Sequence, residues 1–435
     1  MAAPYRELLD FFLELEGELG QGCPGSIDYF PVVRSFIYFS ERPTFSTAIG
    51  ARPNLDTVYR ALDLVRCIGS AALQPLRRPV ARQLFVAPAR HRNVPVERGL
   101  CSKHLDSLRE RYGDGSELVW EVGDNPAGPR PGPSLPTDVA RVAVLNGRLR
   151  RTRDPARRVA EVAGQVRSRG WPQLRFSTVA LARALTGFDF ARRYYRALFR
   201  KSPPERAFFV VYYSLRQAPM ISALNDLGVR TIEYQHGIQS NIHPLYTHWD
   251  HLERRPASMP DEVLVWDEVS RRRIASWAEG LGMGVEVTGN LWYTGERMQR
   301  AAQAGEGGGV LVALQHYPDY FNPAILDAAR ATPHLPWLFR EHPLYRLSAG
   351  DRKSLAVHDR VRIIGPDEES LDASLARASC CITGFSTVGI EALLYGRTAI
   401  FTHETAREGL ADYFDGARCH YAETADDIRS VLDAL

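Results

Sequence analysis

Short apolar runs punctuate this chain, and between them apolar positions recur with the spacing of an amphipathic helix. Over residues 82–88, 116–122, 207–213, 230–234, 262–266 and 285–290 the runs are rich in Val, Ile, Phe and Tyr. Such runs are too short for helices and predict strands buried on both faces. The pattern then changes: 291–309 is charged and ends in Gly305-Glu-Gly-Gly-Gly309, the composition of a linker. Beyond it the rhythm begins again, with runs at 310–314, 337–341, 361–364, 378–383 and 398–402. Helical spacing fills 101–111, 137–200, 218–227 and the stretch up to Leu281, while the Pro- and Gly-rich 125–136 predicts a loop.

Strands alternating with helices make parallel sheets covered on both faces. The expected fold class is α/β, with two Rossmann-like doubly wound domains at 81–290 and 310–435 joined by a linker at 291–309. A largely helical N-terminal extension, 1–80, precedes them; its aromatic-rich pieces, such as Ser35-Phe-Ile-Tyr-Phe-Ser40, take no fold from pattern alone. Ligands of doubly wound sheets gather beyond the carboxyl ends of the strands, so two such domains imply a cleft between two sets of loops.

Composition narrows the chemistry. At 435 residues and 45% hydrophobic content, the chain can build full cores, and a net charge of +3 gives no bulk electrostatic reason to bind nucleic acid. Positive charge is almost all arginine, with lysine only at Lys103, Lys201 and Lys353. The six cysteines show no C-x-x-C spacing; adjacent Cys380 and Cys381, in an expected buried strand, are core thiols. His236, His243 and His248 make one loop His-rich, but without cysteine partners or a helical i, i+4 pair no metal is expected. The N-terminus lacks the basic start and apolar stretch of a signal peptide, and no run reaches the length of a membrane span. The expected location is the cytoplasm, at most peripheral to a membrane.

The most informative stretch is Thr383-Gly-Phe-Ser-Thr-Val-Gly-Ile-Glu-Ala-Leu-Leu-Tyr-Gly396. An apolar strand runs through a small-residue turn into a helix, which puts unpaired backbone N–H groups and the positive end of a helix dipole at one spot, ready for phosphate. Gly384 permits a tight turn and close approach of a ligand. Ser386 and Thr387 add hydroxyls at the N-cap, and Glu391, a turn further on, is placed to accept from ribose hydroxyls. The competing reading is an ordinary capped helix.

With these residues on the page, the chain resembles glycosyltransferases of the GT-B fold. The resemblance rests on Val287-Thr-Gly-Asn290, on Arg340-Glu-His-Pro343, and on Gly384-Phe-Ser-Thr387 with Glu391-Ala-Leu-Leu-Tyr-Gly396. The His-Pro pair and downstream Ser-Thr pair are similar to those of bacterial capsule and surface-polysaccharide transferases, including polysialyltransferases and teichoic acid polymerases. Gln235-His236-Gly237 resembles the Trp-His-Gly loop of the latter. Non-hydrolysing UDP-N-acetylglucosamine 2-epimerases share the two-domain plan, but their His-Arg-x-Glu-Asn motif is replaced here by Gln315-His-Tyr-Pro-Asp319. The resemblance implies an acceptor domain at 81–290 and a nucleotide-sugar domain at 310–435. It implies a CMP-, CDP- or UDP-activated sugar as co-substrate, a glycan or lipid-linked acceptor, no resident cofactor or metal, and peripheral association with the inner membrane. Two alternatives stay open: an NDP-sugar epimerase, and a non-catalytic module of a polysaccharide assembly complex.

Sugar transfer needs a base for the acceptor hydroxyl and donors for the leaving phosphate. His236, at the carboxyl end of a first-domain strand, is the candidate base, with Glu233 as the fallback; a structural histidine at a tight turn competes with the first role. His342 and Arg340, on one face of a second-domain strand that Pro343 ends, are candidate phosphate partners. His316 follows the first strand of that domain and is a further candidate for donor contact.

Overall fold

The computed structural model describes residues 3–22, 26–41, 80–96, 99–122, 154–302, 308–315, 319–343 and 345–435. The chain divides into an N-terminal unit, residues 5–236 and 243–291, and a C-terminal unit, which comprises 292–435 together with 237–242 and residues 1–4.

The N-terminal unit is built on strands β1 (Gln83–Pro88), β4 (Glu117–Val122), β5 (Arg206–Phe209), β6 (Arg230–Tyr234), β7 (Glu262–Val265) and β8 (Gly284–Val287). They form one sheet of order β4-β1-β5-β6-β7-β8, every pair parallel. A separate antiparallel hairpin, β2 (Arg92–Val96) and β3 (Gly99–Ser102), occupies what the sequence pattern suggests is a plain basic loop. Register explains the purity of the runs: Phe85 lies beside Val119 and Phe208, and all three are buried.

Helices Ala3–Gly22 and Phe30–Glu41 pack into the same core as this sheet. Phe11, Phe12, Phe30 and Ile37 share one cluster with Phe85, Trp120 and Tyr195. The aromatic segment 35–40 is helical because its apolar positions, Ile37 and Tyr38 with Val33 and Phe30 a turn earlier, fall on one buried stripe.

The C-terminal unit repeats the plan with β9 (Val310–Ala313), β10 (Trp337–Arg340), β11 (Val361–Ile364), β12 (Cys380–Thr383), β13 (Thr398–Phe401) and β14 (Cys419–Tyr421). The order is β11-β10-β9-β12-β13-β14, again all parallel. Central β9 and β12 are buried at every position. Burial pushes the Cys381 thiol up to about 12, so the adjacent cysteines are inert core residues. Two Rossmann-like α/β units are thus present, as the sequence predicts. Among the described residues, no helix is long and apolar enough to cross a membrane.

One strand is shorter than its apolar run. The run 207–213 predicts a strand to Tyr213, but β5 stops at Phe209 and Val211 adopts φ 75°. One strand away, within β6, buried Glu233 lies opposite Phe209 and accepts from Tyr212 N just past the end of β5.

Candidate functional site

Each sheet reverses its order once, and the crevice beyond the carboxyl ends at such a reversal is where open α/β sheets bind ligands. In the N-terminal unit the reversal lies between β1 and β5. Just beyond β1, a short 3-10 turn, Ala89–His91, carries His91; beyond β6 comes His236, and beyond β7 comes Trp266. His104, the N-cap residue of the helix Leu105–Tyr112, closes the group without using its side chain as a cap. Ring centroids of His91 and His104 are 5.8 Å apart, and those of His236 lie 5.9 Å from His91 and 6.4 Å from His104. Trp266 stacks on His104 at 6.2 Å. Gln235 locks the strand ends beneath: its Oε1 accepts from Trp266 N at 2.7 Å.

His236 is the hub. Its Nε2 faces the Tyr213 hydroxyl at 3.2 Å and its Nδ1 the Tyr246 hydroxyl at 3.5 Å. Tyr246 in turn donates to Glu233 Oε1 at 2.6 Å, and the same oxygen accepts from Tyr212 N at 3.3 Å. With its proton committed to Glu233, the Tyr246 oxygen is left to accept, which selects the Nδ1–H tautomer of His236 and leaves a lone pair on Nε2. Burial holds His236 down at about 3, with Arg90 adding to the effect, so the ring is neutral at physiological pH. Burial pushes Glu233 up to about 8. The pair therefore divides its protons in the reverse of the usual sense: carboxyl protonated, imidazole free.

The backbone distortion at Val211 serves this arrangement. A β-branched residue at positive φ costs on the order of 1–3 kcal/mol, and here the turn delivers the Tyr212 N–H to Glu233 and the Tyr213 ring to His236. Tyr246 arrives on a loop that the N-terminal helices hold. Fully buried Arg34 donates to the carbonyls of Pro244 at 3.0 Å and Thr247 at 3.1 Å, and it pairs with equally buried Glu16 at 3.1 Å. Its guanidinium lies 4.0 Å from the Trp249 ring centroid, and burial lowers it only to about 10, so it keeps its charge. Trp277 Nε1 donates to the Tyr246 carbonyl at 2.9 Å.

In the C-terminal unit the reversal falls between β9 and β12. Gln315, after β9, clamps the turn after β12: its Nε2 donates to the Phe385 carbonyl and its Oε1 accepts from Phe385 N, both at 2.6 Å. Ser386 is the N-cap of the helix Thr387–Leu394, accepting from Val388 N, and Thr387 opens that helix; both are partly exposed. Gly384 is required by the chain itself, since a Cβ there would meet the Tyr320 carbonyl oxygen at 2.2 Å. The chain's own backbone thus makes one close approach at Gly384. A cavity of about 10 Å³ between Gln315, Tyr320, Thr383 and Gly384 has room for a single water.

The remaining predicted residues divide. His342 lies half-buried at the carboxyl end of β10, its ring 5.7 Å from Tyr345. Arg340 is turned inward, 8% exposed, and its donors go to Glu369 O at 2.7 Å, Pro366 O at 3.4 Å and Ser374 Oγ at 3.3 Å. It staples the loop after β11 rather than presenting a fork to solvent. Glu391 is 1% exposed and hydrogen-bonded to Tyr293, so its carboxylate faces the protein and not a ribose. Helical spacing places it one turn from Ser386 but on the inner face. His316 lies outside the described residues.

The sequence names His236 and Glu233 as candidates; the structure brings His91, His104, Tyr213 and Tyr246, which it does not single out, to the same place. A signal existed for His91, in the basic loop that follows the first strand of a doubly wound sheet. None existed for Tyr246, which is brought back by a loop with no regular pattern. Among the described residues no group of three or more His, Cys, Asp or Glu is placed to hold a metal ion.

No protein-family model matches the sequence, and no curated protein matches it. Several solved structures do. The UDP-GlcNAc 2-epimerase from Neisseria meningitidis, bound to UDP-GlcNAc, aligns over 81% of this chain and 90% of its own at 12% identity and TM-score 0.47. A wall teichoic acid polymerase aligns over 88% and 89%, at 10% identity and TM-score 0.43. An α,α-trehalose-phosphate synthase (UDP-forming) from Burkholderia xenovorans, in complex with glucose-6-phosphate, aligns over 81% and 92%, at 11% identity and TM-score 0.42.

Proposed function

We propose that this chain transfers a sugar, or a polyol phosphate, from a nucleotide-activated donor to a hydroxyl acceptor. The acceptor binds at the β1/β5 reversal of the N-terminal unit and the nucleotide at the β9/β12 reversal of the C-terminal unit. The observation that carries the reading is the Glu233–Tyr246–His236 relay, which supports a neutral imidazole whose Nε2 lone pair faces the Tyr213 hydroxyl. In the transfer, the acceptor oxygen forms its new bond to the donor's anomeric carbon (or phosphorus) as the bond to the nucleotide phosphate breaks. The acceptor proton passes to His236 Nε2. The imidazolium so formed donates through Nδ1 to the Tyr246 oxygen, which the hydrogen bond from Tyr246 to Glu233 keeps turned to accept. The departing phosphate gathers negative charge, and on this reading the start of helix Thr387–Leu394 in the C-terminal unit, with the Ser386 and Thr387 hydroxyls, would receive it. No resident cofactor enters the scheme. A glycan or lipid-linked acceptor of surface-polysaccharide assembly, reached from the cytoplasmic side of the inner membrane, is the finer reading.

Nucleotide release from CMP-, CDP- and UDP-sugars, with and without acceptor, tests the proposal. Release that requires acceptor supports it; interconversion of the sugar without acceptor makes the chain an epimerase; neither makes it a binding module. His236→Ala should lower turnover roughly 100- to 10,000-fold while nucleotide affinity, read by calorimetry, stays near wild type. His342→Ala should weaken nucleotide binding as well as turnover, because phosphate contacts act in the ground state and strengthen in the transition state. Full activity in His236→Ala would end the assignment of this residue as base.

A further inference from the structure

The amino end of the C-terminal sheet, away from the turn that bears Ser386 and Thr387, carries a second inference. Register sets Arg362 of β11 beside Leu338 of β10, and Leu338 beside Leu311 of β9, so the three share one face of the sheet. On that face Leu375, from the helix Leu371–Arg377, and Ala378 just after it share a buried cluster with Leu311. The cover stops short of the edge strand: Leu338 is partly exposed and Arg362 fully so. Between helix and edge strand lies a trough of about 300 Å³, with Leu311, Leu338 and Pro336 as its apolar floor and Ser374, Arg360, Arg362 and Arg377 around it. That volume falls at the low end of the range for small-molecule sites.

Three arginines line the trough, and no aspartate or glutamate does. Arg377 pairs with Glu369, and Arg360 donates to the His334 carbonyl at 2.7 Å. Arg362 makes no hydrogen bond or ion pair with the described residues. The acceptors at the border are already engaged. Ser374 Oγ accepts from Arg340 at 3.3 Å and donates to Glu369 Oε1 at 2.6 Å. The Gly309 and Pro336 carbonyls accept from Ser379 N and Val310 N, both at 2.9 Å. A single charge on an edge strand deters pairing with other chains; three arginines around an apolar floor go further and ask for an anion. We propose that this trough binds a small organic anion, a carboxylate or a phosphate monoester carried on a compact apolar body. Guanidinium forks match the planar carboxylate and the phosphate, and the floor gives the body a surface that a bare ion leaves unused. The site sits at the opposite end of the strands from the proposed nucleotide position, so it stands independently of the transferase reading.

The test uses the full chain, calorimetry, and phenyl phosphate, benzoate, benzyl alcohol and inorganic phosphate as probes. Phenyl phosphate or benzoate should bind saturably, and the tighter of the two names the head group. Benzyl alcohol, without the charge, and inorganic phosphate, without the body, should each bind at least roughly tenfold more weakly. Arg362→Gln, a change at an exposed side chain, should weaken the tighter probe roughly tenfold or more while the melting temperature holds. Leu338→Trp, which fills the trough, should abolish binding. Ser386→Ala with Thr387→Val should leave the affinity unchanged, which separates this site from phosphate held at the carboxyl end of the sheet. No saturable binding of either charged probe, unchanged affinity in Arg362→Gln, or inorganic phosphate bound as tightly as the better probe would each overturn the site. So would a loss of probe binding in Ser386→Ala with Thr387→Val, which would move the anion to the other end of the strands.

Discussion

Glu233 and His236 stand three positions apart on one strand and its exit, and the protons they hold set what each can do. The raised carboxyl binds in the folded state a proton that the unfolded chain gives up above the ordinary carboxylate range. Its contribution to stability is therefore full at low pH and is lost as pH climbs through about 8. Glu233→Gln, always neutral, has no such loss: its melting temperature relative to wild type should rise between about pH 5 and pH 9. A flat difference across that range would mean the carboxyl is ionised throughout. Tyr246→Phe keeps the ring and removes the link between Nδ1 and Glu233. Turnover should fall roughly tenfold to a hundredfold, less than for losing the base itself, with KM little changed. A loss confined to KM would assign Tyr246 to binding instead.

At the scale of elements, the sequence is legible wherever burial on both faces forces an apolar run. The C-terminal strands β9, β12 and β13 are visible in this way, buried at every position, whereas edge strand β11 keeps an apolar run although it is partly exposed. The site is legible only in part, since its residues sit where the pattern breaks. β5 stops at Phe209 although its apolar run continues to Tyr213, and the turn at Val211 brings Tyr212 N to Glu233 on the neighbouring strand, a contact that a one-dimensional pattern does not contain. Glu391 misleads for the same reason: spacing gives its turn of helix but not which face is covered by Tyr293. The N-terminal helices hide most, because Arg34 looks like one more surface arginine. Removing its charge should strand Glu16 in the core, so Arg34→Met is expected to cost about 3–5 kcal/mol in chemical denaturation. Arg34→Met with Glu16→Leu should recover a large share of that, since the pair can be replaced more cheaply than split. If Arg34→Met alone costs under about 1 kcal/mol, the pair is not the anchor its geometry describes.

At the scale of the whole molecule, the helices over residues 5–22 and 30–41 belong to the N-terminal unit, with Phe11, Phe12 and Phe30 in the sheet's own cluster. A chain starting near residue 80 would expose that surface and should be recovered as aggregate, whereas a removable appendage would leave a folded, nucleotide-binding protein. The division of the chain has a further effect. Residues 237–242 belong to the C-terminal unit, although His236 and His243 on either side belong to the N-terminal one. Within the C-terminal unit Asn241 N bonds Gly409 O at 3.0 Å, and a Cβ on Gly409 would come within 3.1 Å of Ser240. On the ribosome, the segment that follows the proposed base is made long before Gly409 exists to receive it. The nascent N-terminal unit can lay down its sheet, but the stretch between His236 and the loop bearing Tyr246 has nowhere to settle until synthesis is nearly done. If the proposed transfer is its activity, a chain wired in this order stays silent while it is being translated, and one cut short by a premature stop would carry the relay residues without the partner that seats the segment between them.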